Sequence, residues 1–279
     1  MIDIKNLYFS YKGKNVFDDL SIRFERGHIY GLLGENGVGK STLFYNICGL
    51  LFPQRGHIRV KEYLPEERLP AFLREVALIS EEFYLPDVSI QTYLKTQIPF
   101  YPEFNKGQFE KYLKEFQIPV NNTLQRMSYG QKKKVLISFY LACNTSLLLM
   151  DEPTNGLDIV SKGQFRKIMT EVINEGRCII ISTHQVKDLE MLIDRITILH
   201  SGEILFNQKI EEISEKLVFK YASDRSELAS AIYAEPSLRG NVVVAPNEEG
   251  VPSQIDMEML YKTVLQHKKT IQSNFNKTV

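Results

Sequence analysis

The residues best suited to chemistry stand together near the N-terminus. Gly34-Glu35-Asn36-Gly37-Val38-Gly39-Lys40-Ser41 fits the pattern G-x-x-x-x-G-K-S/T without a mismatch. Glycines let the backbone wind tightly enough for successive N–H groups to converge on phosphate oxygens. Lys40 is placed to reach the outer phosphates of a nucleotide, and the Ser41 hydroxyl is suited to Mg²⁺. The expected nucleotide-binding set is Gly34, Glu35, Asn36, Gly37, Val38, Gly39, Lys40, Ser41 and Thr42. A second group lies far downstream, where the apolar run Leu147-Leu148-Leu149-Met150 ends in Asp151-Glu152. An acid delivered at the C-terminal end of a buried strand stands where open α/β sheets bind ligands. Asp151 suits holding Mg²⁺ through water, and Glu152 suits the polarisation of an attacking water.

These groups need a scaffold that brings distant segments together. The phosphate loop follows the strand-like run Ile29–Leu33 and precedes a helical stretch from Lys40 to about Cys48. Ile2–Ser10, Ser21–Phe24 and His28–Leu33 read as strands; Leu147–Met150 and Cys178–Ser182 read as short strands covered on both faces. Ile196–Leu199 and Glu203–Phe206 flank Ser201-Gly202 and read as a hairpin. Residues 83–126 have a different texture, rich in proline and aromatics, with helical spacing over Ser89–Thr96 and Lys106–Phe116, and read as a helical insert. Beyond residue 207 the pattern predicts a helix (Gln208–Lys216), a strand (Leu217–Tyr221), a helix (Ser226–Tyr233), a strand (Asn241–Ala245) and a helix (Asp256–His267). The expected division is therefore 1–207 and a small α+β appendage at 208–279.

Composition narrows the classes. At 279 residues with 43% hydrophobic content, the chain can bury a large core. The formal net charge of +0 argues against general nucleic-acid binding, which needs a basic field. No run approaches the roughly 20 apolar residues of a membrane span, and MIDIKNLYFSY alternates like a strand rather than a signal peptide. The expectation is a cytoplasmic protein that reaches the inner face of a membrane through a partner. Cys48, Cys143 and Cys178 form no CxxC pair and read as core residues.

Further motifs follow in order: Met127-Ser128-Tyr129-Gly130-Gln131, then Asp151-Glu152-Pro153-Thr154, then Gly156-Leu157-Asp158, then Ser182-Thr183-His184. With the phosphate loop, this series resembles the ATPase subunits of ABC (ATP-binding cassette) transporters across residues 1 to about 207. The resemblance implies a P-loop NTPase core with a mixed sheet, an antiparallel N-terminal β subdomain and a helical insert. It implies ATP and Mg²⁺ as ligands, and a homodimer or heterodimer of ATPase subunits joined to an integral membrane permease, with no nucleic acid. Ser128, Gly130 and Gln131 then fall in the signature loop, which in the family contacts ATP held by the opposite subunit; Ser128 and Gln131 also fit an S-x-x-Q capping box. Asn155-Gly156-Leu157-Asp158 resembles the loop that links the two sites. His184 resembles the switch histidine that reaches the γ-phosphate, and Tyr11 the aromatic that stacks on adenine.

Two positions depart from the family pattern. Tyr129 stands where the signature has glycine, and Glu81 where the metal-linked glutamine is usual. Glu81 can still take a water-mediated metal contact but cannot donate when ionised. The single cassette and short appendage resemble the motor of an exporter with separate membrane subunits. Members that act on ribosomes or DNA carry a second cassette or long coiled-coil or zinc inserts, which this chain lacks. A member that drives a membrane protein's conformational change without moving cargo would share all these features.

Overall fold

A computed structural model describes residues 1–173, 175–185, 190–222, 224–248 and 250–276. The chain opens with β1 (Ile2–Tyr11) and β2 (Lys14–Phe24), followed by β3 (His28–Leu33) and α1 (Lys40–Ile47). Then come β4 (Arg55–Val60), α2 (Pro70–Glu75) and β5 (Val76–Ile79). A helical stretch follows with α3 (Ile90–Gln97), α4 (Lys106–Glu115) and α5 (Tyr129–Ala142). The chain returns to the sheet through β6 (Leu147–Asp151), α6 (Ile159–Val172), β7 (Cys178–Thr183), β8 (Arg195–His200) and β9 (Glu203–Lys209).

The central sheet has the order β5-β6-β7-β3-β8-β9; β9 runs antiparallel to β8, and the other neighbours are parallel. β1, β2 and β4 form a separate antiparallel sheet in the order β2-β1-β4. The expected mixed sheet, antiparallel N-terminal sheet and terminal hairpin are all present. Period-2 alternation sends side chains of the central strands to opposite faces. Ile29, Leu33, Leu148, Met150, Ile179 and Ile181 join a core with the helical stretch, whereas Tyr30, Leu32, Leu147, Leu149, Cys178 and Ile180 join a core with the N-terminal sheet and α1. Burial on both faces explains why these strands read as continuous apolar runs. All three cysteines are free and buried.

Parallel register aligns the strand ends that matter. Leu33 pairs with Thr183, and Asp151 pairs with Ser182, so the C-terminal ends of β3, β6 and β7 meet along one edge. The helical stretch extends past residue 126, because α4 packs on α5.

The C-terminal part contains α7 (Ile210–Lys216), β10 (Leu217–Tyr221), α8 (Arg225–Ser230), β11 (Tyr233–Ser237), β12 (Gly240–Pro246), α9 (Met257–Gln266) and α10 (Lys268–Asn276). Three differences from expectation stand out. The helix expected to reach Tyr233 ends at Ser230, and Tyr233 instead opens β11. β11 contains Pro236 and lies at the edge of the sheet β10-β12-β11, where a missing N–H is tolerated, so proline hid it in the sequence. α10 was also unforeseen: its buried apolar anchors are Ile271 and Phe275, one helical turn apart. β9 ends at Lys209, and Leu260, Val264, Ile271 and Phe275 join the same core as the central sheet.

Candidate functional site

The phosphate loop leaves β3 and enters α1 through Gly39, whose φ of 114° suits glycine. A Cβ there would lie 2.8 Å from Val16 Cγ1 and 2.9 Å from Phe17 Cε1. Gly34 is equally constrained, since a Cβ would fall 2.6 Å from the Leu199 carbonyl oxygen. Because Gly39 has no side chain, no cap closes the N-terminus of α1. Its leading N–H groups and partial positive charge are left facing an anion site. Lys40 is buried, and its Nζ donates to the carbonyl oxygens of Gly34 (2.7 Å) and Glu35 (3.1 Å). Desolvation lowers the pKa of this amine, against the upward pull of Glu152, Asp151 and Glu81.

Beside this loop lies a cavity of 520 Å³, within the roughly 300–1,000 Å³ usual for small-molecule sites. Tyr11, Asn36, Gly37, Val38, Gly39, Lys40, Ser41, Thr42, Glu81, Asp151, Glu152 and His184 all line it. Gly34 and Glu35 act from behind through their carbonyls. Tyr11 is 44% exposed, and its hydroxyl lies 3.4 Å from Thr42 Oγ1, so it offers a ring at the cavity mouth. Ser128, Gly130 and Gln131 are not among the lining residues. The N-terminus of α5 is closed by the expected capping box: Gln131 N–H donates to Ser128 Oγ (3.3 Å), and Ser128 N–H donates to Gln131 Oε1 (3.0 Å).

The carboxylates are differently held. Asp151 Oδ1 accepts from Ser182 Oγ. Glu152 is buried and has a φ of 45°, a left-handed conformation uncommon outside glycine. Such backbone persists only where surrounding contacts over-determine it, and those contacts are present. Glu152 N–H donates to the Ser182 carbonyl (3.1 Å), while Asn155 N–H (3.2 Å) and Lys133 Nζ (2.6 Å) donate to the Glu152 carbonyl. The Glu152 carboxylate accepts from Thr183 Oγ1 (3.1 Å) and His184 N–H (2.9 Å), and lies 2.7 Å from His184 Nδ1. An ionised carboxylate only accepts, so this contact places a proton on Nδ1. A buried acid held in this way is positioned as a general base or as a positioner of water.

The structure adds residues that the motif reading missed. Lys133 is fully buried, and its Nζ also donates to the Asn155 carbonyl at 3.2 Å. Burial brings the pKa of its amine down to about 8, partly offset by Glu81, Glu152 and Asp151. In sequence it sits inside Lys132-Lys133-Lys134, which reads as a solvated run; the available signal was its i+4 spacing from Tyr129 and i−4 spacing from Ile137 on one helix face. Glu81 Oε1 accepts from Asn155 Nδ2 at 3.0 Å, so the segment carrying Glu81 touches the Asn155–Asp158 loop. Among the described residues there is no cluster of three or more His, Cys, Asp or Glu side chains suited to a metal. Ser41, Asp151 and Glu81 nevertheless put hard oxygen donors on one cavity wall. That donor set fits Mg²⁺, which takes one or two carboxylates alongside substrate phosphates and water.

The ABC transporter family model matches residues 17–155. The chain is 30% identical over 267 residues to the energy-coupling factor transporter ATP-binding protein of Methanocaldococcus jannaschii, covering 90% of this chain and 91% of that one. It is 29% identical over 223 residues to the lipopolysaccharide export system ATP-binding protein of Haemophilus influenzae, covering 76% and 92%. A solved structure of an ATP-binding subunit of an ABC transporter superposes with a TM-score of 0.69 at 28% identity, covering 76% of this chain and 91% of that one. No helix among the described residues is long and apolar enough to cross a membrane. The chain belongs to the ATP-binding subunits of ABC transporters and is an ATPase of that family.

Proposed function

We propose that this chain is the motor of a transporter whose membrane subunits are separate chains, and that it works as a head-to-tail dimer of ATPase subunits at the inner face of the membrane. Each ATP lies between the phosphate loop of one subunit and the signature turn of the other. Tyr11 stacks on adenine. The backbone of residues 34–39, with Lys40, Ser41 and Thr42, holds the phosphates. Ser41, Asp151 and Glu81 would hold Mg²⁺. Bound there, Mg²⁺ would neutralise phosphate charge. Glu152 orients and deprotonates the attacking water, and His184, beside it on the same cavity, is the side chain that reaches the γ-phosphate. Ser128, Gly130 and Gln131 complete the site from the opposite subunit. Residues 1–207 form the ATPase unit, and 208–279 form an appendage packed on it.

The observation that carries this reading is the Glu152–His184 pair, held 2.7 Å apart on the same cavity as buried Lys40. A base, a γ-phosphate sensor and a phosphate ligand around one cavity match the needs of phosphoryl transfer to water. The test is Glu152→Gln. The variant is expected to bind ATP, hydrolyse it at least about a hundredfold more slowly and accumulate an ATP-dependent dimer on size exclusion. Hydrolysis at the parent rate would remove Glu152 from the role.

We propose export as the direction of transport, the direction named for one relative, the lipopolysaccharide export system ATP-binding protein. Relatives include both a cobalt import ATP-binding protein and an export-system protein, so identity alone does not set direction. Co-purification with the membrane subunit and reconstitution in vesicles decides it: cargo leaving the compartment that holds ATP supports export, and cargo entering that compartment overturns it.

A further inference from the structure

We infer that Tyr129 is a positioning residue that clamps the signature turn to two loops of its own chain, and so sets the orientation in which Ser128 and Gly130 are presented. The inference deepens the dimer reading above and rests on it. Tyr129 is 47% exposed, yet its hydroxyl and its ring both have partners within the chain. Its hydroxyl donates to the Glu81 carbonyl at 2.5 Å. Its ring stacks on Phe83 with centroids 5.0 Å apart and planes at 25°. A Cβ on Gly156 would fall 2.9 Å from ring atoms Cδ1 and Cε1, so the close approach of this ring depends on that glycine. Lys133, one turn further along α5, places Nζ 5.7 Å from the ring centroid while holding the Glu152 and Asn155 carbonyls.

These contacts close a circuit. Tyr129 ties α5 to the 81–83 segment, Glu81 ties that segment to Asn155 (3.0 Å), and Lys133 ties Asn155 and Glu152 back to α5. A glycine at position 129 would make neither the hydroxyl bond nor the stack, leaving Lys133 as the remaining link of this circuit from α5. Because the ring is committed within its own chain, it is turned to holding α5 in place rather than to grasping a phosphate. Tyr129 therefore acts on the rate at which the assembled site works, through preorganised geometry, and contributes little to ATP affinity.

Two measurements on the full chain test this. The first is steady-state hydrolysis by Tyr129→Phe and Tyr129→Gly. Tyr129→Gly is expected to lower kcat about tenfold with KM for ATP within about twofold of the parent, and Tyr129→Phe, which keeps the stack, to recover most of the loss. The second needs no nucleotide: spin labels on Lys106→Cys in α4 and Arg59→Cys in β4, both exposed, with the three native cysteines buried. A single narrow inter-label distance is expected in the parent, a broadened one in Tyr129→Gly and an intermediate one in Tyr129→Phe. Unchanged distances in Tyr129→Gly overturn the clamp, as does a rise in KM that accounts for the whole loss of kcat/KM. The nucleotide-free distances do not depend on Glu152 or on ATP, so failure of the clamp and failure of the ATPase reading give different results.

Discussion

The two halves of the proposed reaction centre prepare for phosphate in opposite ways. At the phosphate loop, α1 begins at a glycine that provides no side-chain cap, and the adjacent Lys40 is buried with backbone carbonyls as stand-in partners. Those helix donors and that amine are poised for an anion, and an anion would relieve the amine's desolvation. At the signature turn, α5 begins behind a capping box in which the Ser128 and Gln131 N–H groups are already bonded. A phosphate taking the Gln131 N–H would exchange the bond to Ser128 Oγ for another, so the net gain at that donor is small. On the proposed reading, that difference puts most of the affinity for nucleotide in the first half and leaves alignment of the assembled site to the second.

That contrast can be broken at several points. The largest effect is expected from Glu152→Gln, whose loss of hydrolysis with retained binding separates chemistry from affinity. Next, Lys40→Ala should weaken ATP binding by about tenfold to a hundredfold, the range for losing a charged hydrogen-bonding partner; titration with a fluorescent ATP analogue measures it, and unchanged affinity would move the phosphate site elsewhere. Ser128→Ala should leave single-chain ATP affinity within about twofold while lowering hydrolysis, and should cost about 1 kcal/mol of stability through the lost cap. Equal losses in affinity from Ser128→Ala and Lys40→Ala would erase the distinction between the halves.

A smaller effect, in stability, sharpens the role of the strut between them. The Lys133 amine has a pKa near 8 in the folded chain, against about 10.4 when unfolded. Between those values the unfolded chain binds more protons, so this group makes stability rise with pH from about 8 to about 10.4. Lys133→Met removes that contribution. Urea midpoints at pH 7.5 and 9.5 should show a parent-specific gain with pH that the variant lacks; identical pH responses would mean that the amine is not desolvated as its burial indicates.

Much of the phosphate half was legible in the chain itself, because its parts are neighbours. Gly34 to Ser41 is contiguous, and its donors belong to successive residues whose conformations glycine permits. The capping box of α5 was legible for the same reason, as Ser128 and Gln131 lie three residues apart. The carboxylates stood out because an apolar run has to end where its strand leaves the sheet. Lys133 was hidden inside a charged run, and β11 was masked by its proline. Near the C-terminus, α10 presents, among the described residues, Ile271 and Phe275 as buried apolar anchors, too thin a stripe to register as a helix.

The sequence by itself determined the local devices: a loop that can wrap phosphate, an acid pair at a strand end, and a capped helix start. Backbone geometry over a few residues is sufficient for each. Tertiary structure decided which devices meet. Parallel pairing of β6 with β7 carries Glu152 to His184, and packing of α5 beside the central sheet buries Lys133 under the Glu152 carbonyl. It also brings Tyr129 onto Glu81 and Phe83, turning two departures from the family pattern into one contact. Those meetings depend on strand order and on core packing between segments tens of residues apart, and no short-range preference specifies them.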